Sequence, residues 1–283
     1  MVRSPKSRSL IVCMAGVVAL AACNRAPSSQ APAANATAAA PAVATTSSHA
    51  FVPDLAKGDF AEHVRVLSSD AFEGRAPGSP GEDKTVAYLT AQFERMGLKP
   101  GNNGSWTQVV PMTETTADAG TSLSISVKGK AHTLKFGDDM VIGTRSGQPH
   151  VAVKDSDVVF VGYGVDAPEQ HWNDYDGLDV KGKTVVMLVN DPGFHANDPN
   201  LFEGRRMTYY GRWTYKFEEA ARKGAAMALI VHDDAGASYG WDVVKSSWSG
   251  AQFDLRASDD PAPRLPVQGW ITGAQAKALF ADA

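Results

Sequence analysis

The stretch Met207–Asp234, MTYYGRWTYKFEEAARKGAAMALIVHDD, admits few folds. Gly211 closes a turn, Tyr215, Phe217, Ala220 and Ala221 then recur at helical spacing, and Lys223-Gly224 supplies a stop. The run 225–231 that follows is apolar throughout and of strand length. A helix that feeds the chain directly into a strand buried on both faces implies an α/β layer.

The surrounding sequence extends this pattern. Two further apolar runs, 157–161 and 184–189, predict strands buried on both faces, and SerLeuSerIleSerVal at 122–127 alternates as a half-buried strand does. ThrLeuLysPhe at 133–136 and TrpThrGlnValVal at 106–110 also read as strands. Upstream, Asp59 with Glu62 three residues on marks a helix ending near Ser69. Ser79-Pro80 with Glu82 starts a second helix, in which Val86, Leu89, Phe93 and Met96 share a face until Gly97. Between them lies a turn-rich loop over 68–81, of the kind that carries function or merely connects. Near the end, a strand over 265–271 leads into a short helix capped by Thr272 with Gln275.

The first residues read as a signal peptide: Arg3, Lys6 and Arg8 precede an apolar core from Leu10 to Ala22, short for a permanent membrane span. Leu20-Ala21-Ala22-Cys23 resembles a bacterial lipobox, which implies lipidation at Cys23 and attachment on the periplasmic face, with the outer membrane favoured. The other cysteine, Cys13, leaves with the signal, so no thiol remains for a disulfide, a zinc cluster or a nucleophile. Residues 24–50 are mostly Ala, Pro, Ser and Thr without Phe, Trp or Tyr, a composition that reads as a disordered tether holding the domain on the order of 30 Å from its anchor. Removing the three basic residues of the signal changes the formal charge from −4 to −7, which argues against a nucleic-acid partner.

Several motifs match in letters and fail in context. Gly162-Tyr163-Gly164-Val165-Asp166-Ala167 has the form of a dinucleotide fingerprint, but Pro168 and a row of turn formers follow where a helix must begin. The glycines read instead as a tight turn. Asp174, Asp176 and Asp179 lack the glutamate that closes a calcium loop. Gly236-Ala237-Ser238-Tyr239-Gly240 matches a nucleophile elbow, yet no histidine follows it and polar residues separate it from the strand.

His232-Asp233-Asp234 places a His-x-Asp pair at the end of a buried strand, where a metal ligand is rigidly held. No histidine or glutamate follows Asp234, Glu218-Glu219 precedes it on the helix, and His49, His63, His132, His150, His171 and His195 are scattered. His232 therefore reads as a strand-end histidine bonded to backbone, and no metal or catalytic residue is assigned.

The loop AspAlaPheGluGlyArgAlaProGlySerProGly, its helix and GlyLeuLysPro100 together resemble the opening of bacterial secreted zinc aminopeptidases. That wider family includes glutamate carboxypeptidase II and the transferrin receptor. PheValGlyTyrGlyValAspAlaPro, AspTyrAspGlyLeuAspValLysGlyLysThr, TyrTyrGlyArgTrpThrTyrLys and GlyAlaAlaMetAlaLeuIleValHis resemble the protease-associated domain inserted in them.

The resemblance implies a mixed α+β, α/β architecture: 1–22 signal, 23–50 tether, 51–140 the helical start of a zinc-peptidase domain, and 141–283 a β-rich protease-associated insert with flanking helices. It implies a parent exopeptidase acting on peptides with two zinc ions roughly 3.5–4 Å apart. The family's ligands run His-x-Asp, Glu-Glu, Asp, His after the insert, so no cofactor is expected in this chain, which reads as an inactive N-terminal part. The alternative is a non-catalytic protease-associated binding module.

Overall fold

The computed structural model describes Asp54 and residues 56–283 apart from Ala119, so Cys23 and the tether lie outside the described residues. The chain forms two compact units that divide between Trp106 and Thr107.

The first unit holds α1 (Lys57–Leu67) and α2 (Pro80–Arg95). Helix α1 begins earlier than its acidic signal suggested: Ala56 is the N-cap without a side-chain bond, and Asp59 lies in the first turn, where it complements the helix dipole. Ser79 caps α2 by accepting the Glu82 N–H, while the Glu82 carboxylate reaches back to the Gly78 N–H. Gly97, at φ 77°, takes the left-handed conformation that ends the helix.

Loop 68–81 folds into a tight 3-10 segment, Asp70–Arg75, that drives Phe72 edge-on against Tyr88 of α2. Tyr88 in turn bonds His63 of α1. The shared face Val86, Leu89, Phe93 and Met96, with Phe60 and Val64 of α1, stays exposed.

The second unit opens with β1 (Met112–Thr115), β2 (Ser122–Val127), β3 (Lys130–Lys135), β4 (Met140–Gly143) and β5 (Val158–Phe160). A small hairpin of β6 (Asp166–Ala167) and β7 (Trp172–Asn173) leads to β8 (Thr184–Leu188), α3 (Pro192–Ala196), α4 (Trp213–Arg222) and β9 (Met227–His232). Then come α5 (Asp234–Ala237), α6 (Trp241–Trp248), β10 (Gln252–Leu255), β11 (Val267–Thr272) and α7 (Gly273–Asp282). The strands between residues 106 and 140, grouped by the sequence reading with the opening helices, fall in this unit.

The central sheet has the order β4-β11-β9-β8-β5, parallel except for β4. Every residue of β9 is buried, as a strand covered on both faces requires. One face packs Val185, Met187, Ile230 and Trp270 against Phe217 and Ala220 of α4 and Val244 of α6. The other packs Val186, Leu229 and Ile271 against Ile125 and Leu134 of the β2–β3 hairpin and Leu279 of α7. Lys128 and Gly129, at φ 47° and 82°, make the turn of that hairpin, both in the left-handed region a two-residue connection favours. Thr272 caps α7 through the Gln275 N–H.

The architecture is mixed α/β. Two strand expectations need correction. TrpThrGlnValVal at 106–110 forms no strand, with Val109 fully in solvent, because no neighbouring edge pairs with it. β5 is not buried on both faces: it is the outer strand, leaving Val158 46% and Phe160 44% exposed.

Gly269 allows β4 and β11 to approach closely, for a Cβ there would lie 2.1 Å from the Val141 carbonyl oxygen. Gly269→Ala is expected to lower unfolding free energy by about 2–3 kcal/mol, measured in urea. The division at Trp106 predicts a second result. Limited proteolysis should cleave between Arg95 and Met112 and leave a resistant core starting near Thr107; equal resistance of 56–106 would contradict separate units.

Candidate functional site

In parallel sheets, ligands bind beyond the carboxyl ends of the strands. Here those ends bring together four segments far apart in sequence: the GlyTyrGly turn after β5, Asn190–His195 after β8, Tyr210–Lys216 entering α4, and His232–Tyr239 after β9.

The GlyTyrGly turn is held by a carboxylate. Asp174 Oδ2 accepts the N–H groups of Tyr163 at 3.1 Å and Val165 at 3.0 Å, so it serves the turn instead of standing in solvent with Asp176 and Asp179. Gly162 and Gly164 sit at φ 55° and 65°, and a Cβ on either would meet Asp174 Oδ1 or Met187 Sδ at 2.8 Å. Both the conformation and the space require glycine. The turn therefore carries no helix N-terminus for a pyrophosphate.

His232 is buried at the end of β9, with Nε2 3.1 Å from the Tyr239 carbonyl oxygen and Nδ1 3.4 Å from Asp234 Oδ1. The bond to the Tyr239 carbonyl orients the ring. Asp233 is the N-cap of α5: Oδ2 accepts the Gly236 N–H at 2.8 Å and faces His195 Nε2 at 3.1 Å. Partial burial pushes the Asp233 carboxyl up, but the Gly236 N–H and His195 outweigh that and hold it below its ordinary value.

On the other side of its ring, His195 Nδ1 lies 3.1 Å from the Tyr163 hydroxyl. Tyr163, His195 and Asp233 so form a chain of side chains. Burial and the surrounding carboxylates push the Tyr163 phenol up, which keeps it protonated and unsuited to act as a phenolate nucleophile.

Beneath this chain lies a charged group that the sequence pattern hid. Lys216 of α4 is 0% exposed, and Nζ donates to the carbonyl oxygens of Tyr163 at 2.5 Å and Tyr210 at 3.4 Å. It bolts the turn after β5 to the turn before α4. Burial lowers its pKa to about 7, against the partly opposing fields of Asp174 and Asp191. Asp191 is also 0% exposed; Oδ2 accepts the Thr208 N–H and hydroxyl, while Oδ1 has no partner. Asn190 Nδ2 donates to the Gly236 carbonyl. The only sequence signal for Lys216 is its place four residues before Ala220 on the buried face of an otherwise amphipathic helix.

Of His232, Asp233 and Asp234, the first two are bonded to backbone and to His195, while Asp234 is exposed and meets only His232. Among the described residues, no three His, Cys, Asp or Glu side chains converge on a common point. Glu219 of the Glu218-Glu219 pair instead binds Arg222 and Lys223 on its own helix. Ser238 is the left-handed C-cap of α5, at φ 68°, away from any strand-to-helix elbow.

Lys216 gives the fold a pH signature. In the unfolded chain it titrates near 10.5, in the native state near 7, so between these values the unfolded state binds the extra proton. Stability is greatest above the unfolded value and falls as pH drops from 10.5 toward 7, by an amount on the order of 3–5 kcal/mol if the whole shift is expressed. Lys216→Met should flatten that part of the stability curve relative to the parent, as read by urea melts at stepped pH.

No protein-family model matches this chain, and no curated protein does. Four solved chains match, among them the aminopeptidase from Aneurinibacillus sp. strain AM-1, at 16% identity and a TM-score of 0.33. The match covers 80% of this chain and 40% of that one, so the chain spans less than half the length of that structure.

Proposed function

We propose that this chain supplies the opening helices and a protease-associated module of a secreted, lipid-anchored zinc aminopeptidase, and that the module is a scaffold without catalysis of its own. The observation that carries this reading is the commitment of polar groups at the carboxyl edge of the sheet to holding turns. Where an α/β enzyme would present reactive groups, His232, Asp233, Asn190 and Lys216 are bonded to backbone of the same fold. A group already committed to a turn is not free to activate water.

The family part of the reading rests on the ordered motifs: the loop at 70–81, the GlyTyrGly turn, AspTyrAspGlyLeuAspValLysGlyLysThr and the Tyr209–Lys216 segment. The structure gives each a physical task. The loop buries Phe72, the turn seats Asp174, and Lys216 ties two turns together. Peptides are the substrate class of the parent, two zinc ions its metal, and a lipidated Cys23 its anchor on the periplasmic face.

Purified chain supplemented with zinc should show no turnover of aminoacyl-nitroanilides above background. Chelator-sensitive hydrolysis would sink the scaffold reading. The parentage has its own test: coding DNA read past codon 283 should continue in frame into His-x-Asp and Glu-Glu, and a stop or an unrelated frame counts against it.

A further inference from the structure

The second unit contains a cleft of about 560 Å³ with polar side chains on its lining that hold no turn. Its volume lies within the range typical of small-molecule sites. Gln268, on β11, and Gly143, its partner on β4, form part of the floor. Trp213 of α4 and Trp248 of α6 stand along one side, joined through Phe217, whose ring centroid is 6.1 Å from each. Thr115 of β1 and Asp254 of β10 also line it.

Two buried side chains border this space with hydrogen-bonding capacity left over. Gln268 is 5% exposed, yet its amide has no partner among the described residues. On β11 it shares a face with Trp270, where an apolar residue would extend the core. Asp254 is 7% exposed; Arg145 binds its Oδ1 through both Nε and Nη2, and Oδ2 has no donor among the described residues. Neither the Gln268 amide nor Asp254 Oδ2 is among the fully buried unpartnered atoms, so both stay within reach of water in the cleft, and a ligand that displaces that water must supply matching hydrogen bonds.

The chemistry narrows what that is. The Arg145–Asp254 pair is internally neutral, so a charged ligand gains nothing from its net charge and would lose its own hydration. An alcohol hydroxyl is donor and acceptor at once, and can accept from the free Arg145 Nη1 while donating to Asp254 Oδ2. A peptide N–H or C=O can meet only one of these. The Gln268 amide offers one donor and one acceptor face more, and the tryptophans offer apolar surface for the C–H face of a ring. Trp213, 40% exposed, has the accessibility such a wall needs.

We propose that this cleft binds a neutral saccharide of about one to two rings, with Gln268, Asp254 and Arg145 as its hydrogen-bonding partners and Trp213 and Trp248 as its apolar walls. This goes beyond the scaffold reading and does not depend on it, since the cleft lies wholly within the second unit.

Tryptophan fluorescence of the full chain tests it, titrated with N,N′-diacetylchitobiose, cellobiose and the blocked tripeptide acetyl-Ala-Phe-Ala-amide. The expected result is saturation by at least one disaccharide with a Kd at or below about 1 mM. Gln268→Leu and Trp213→Ala should weaken it at least tenfold. Trp213→Ala sits at an exposed position and should leave the thermal midpoint unchanged, which separates lost binding from lost folding. No saturation by either disaccharide, saturation by the tripeptide alone, or undiminished affinity in both variants overturns the proposal.

Discussion

Strand β9 must be buried on both faces, and most of the second unit follows from that. Six consecutive residues from Met227 to His232 offer no polar side to solvent until the histidine. The strand is stable only with paired neighbours on each edge and a packed layer above and below. β8 and β11 supply the edges; α4 and α6 cover one face, the β2–β3 hairpin and α7 the other. A parallel pair needs a crossover, and α4, ending at Gly224 just before β9, is the crossover from β8. The helix and strand that adjoin in sequence are thus partners in space by necessity.

This explains why some features were legible in the sequence and others were not. Caps at Ser79 and Thr272 and the stop at Gly97 are local devices, satisfied within a few residues. Burial of β8 and β9 shows as an apolar run. The run at β5 looks the same, yet its position at the sheet edge leaves it half in solvent, and edge position is a property of the assembled order. The strand expected at 106–110 failed for the same reason: alternation creates a willing strand but not a partner for it. His195 illustrates the limit most clearly. It meets Tyr163 from 32 residues away and Asp233 from 38, and nothing in its own neighbourhood signals either contact.

Lys216 carries a different lesson about pattern. On an amphipathic helix a lysine normally marks the solvent face, so its charge conceals its burial. Its two carbonyl partners belong to turns that have no ladder to bind them, and a backbone oxygen buried without a donor is costly. A long side chain that delivers an N–H group to both turns solves the problem at one position. Apolar residues of equal volume would pack as well and leave both oxygens bare. The depressed pKa is the consequence of that placement, not its purpose.

The two ends of this logic meet in the contrast between the carboxyl edge and the cleft. At the edge, Asp174, Asn190, Asp233 and Lys216 each hold a turn, and the free energy of each polar group is spent on conformation. In the cleft, the Gln268 amide and the second oxygen of Asp254 have no partner among the described residues. A core that only needed stability would place an apolar residue at 268, beside Trp270, and gain burial there. The letters of His232-Asp233-Asp234 pointed to the edge because metal motifs are read from spacing. The cleft differs in that its unbonded polar groups stay within reach of solvent, where an outside partner can meet them.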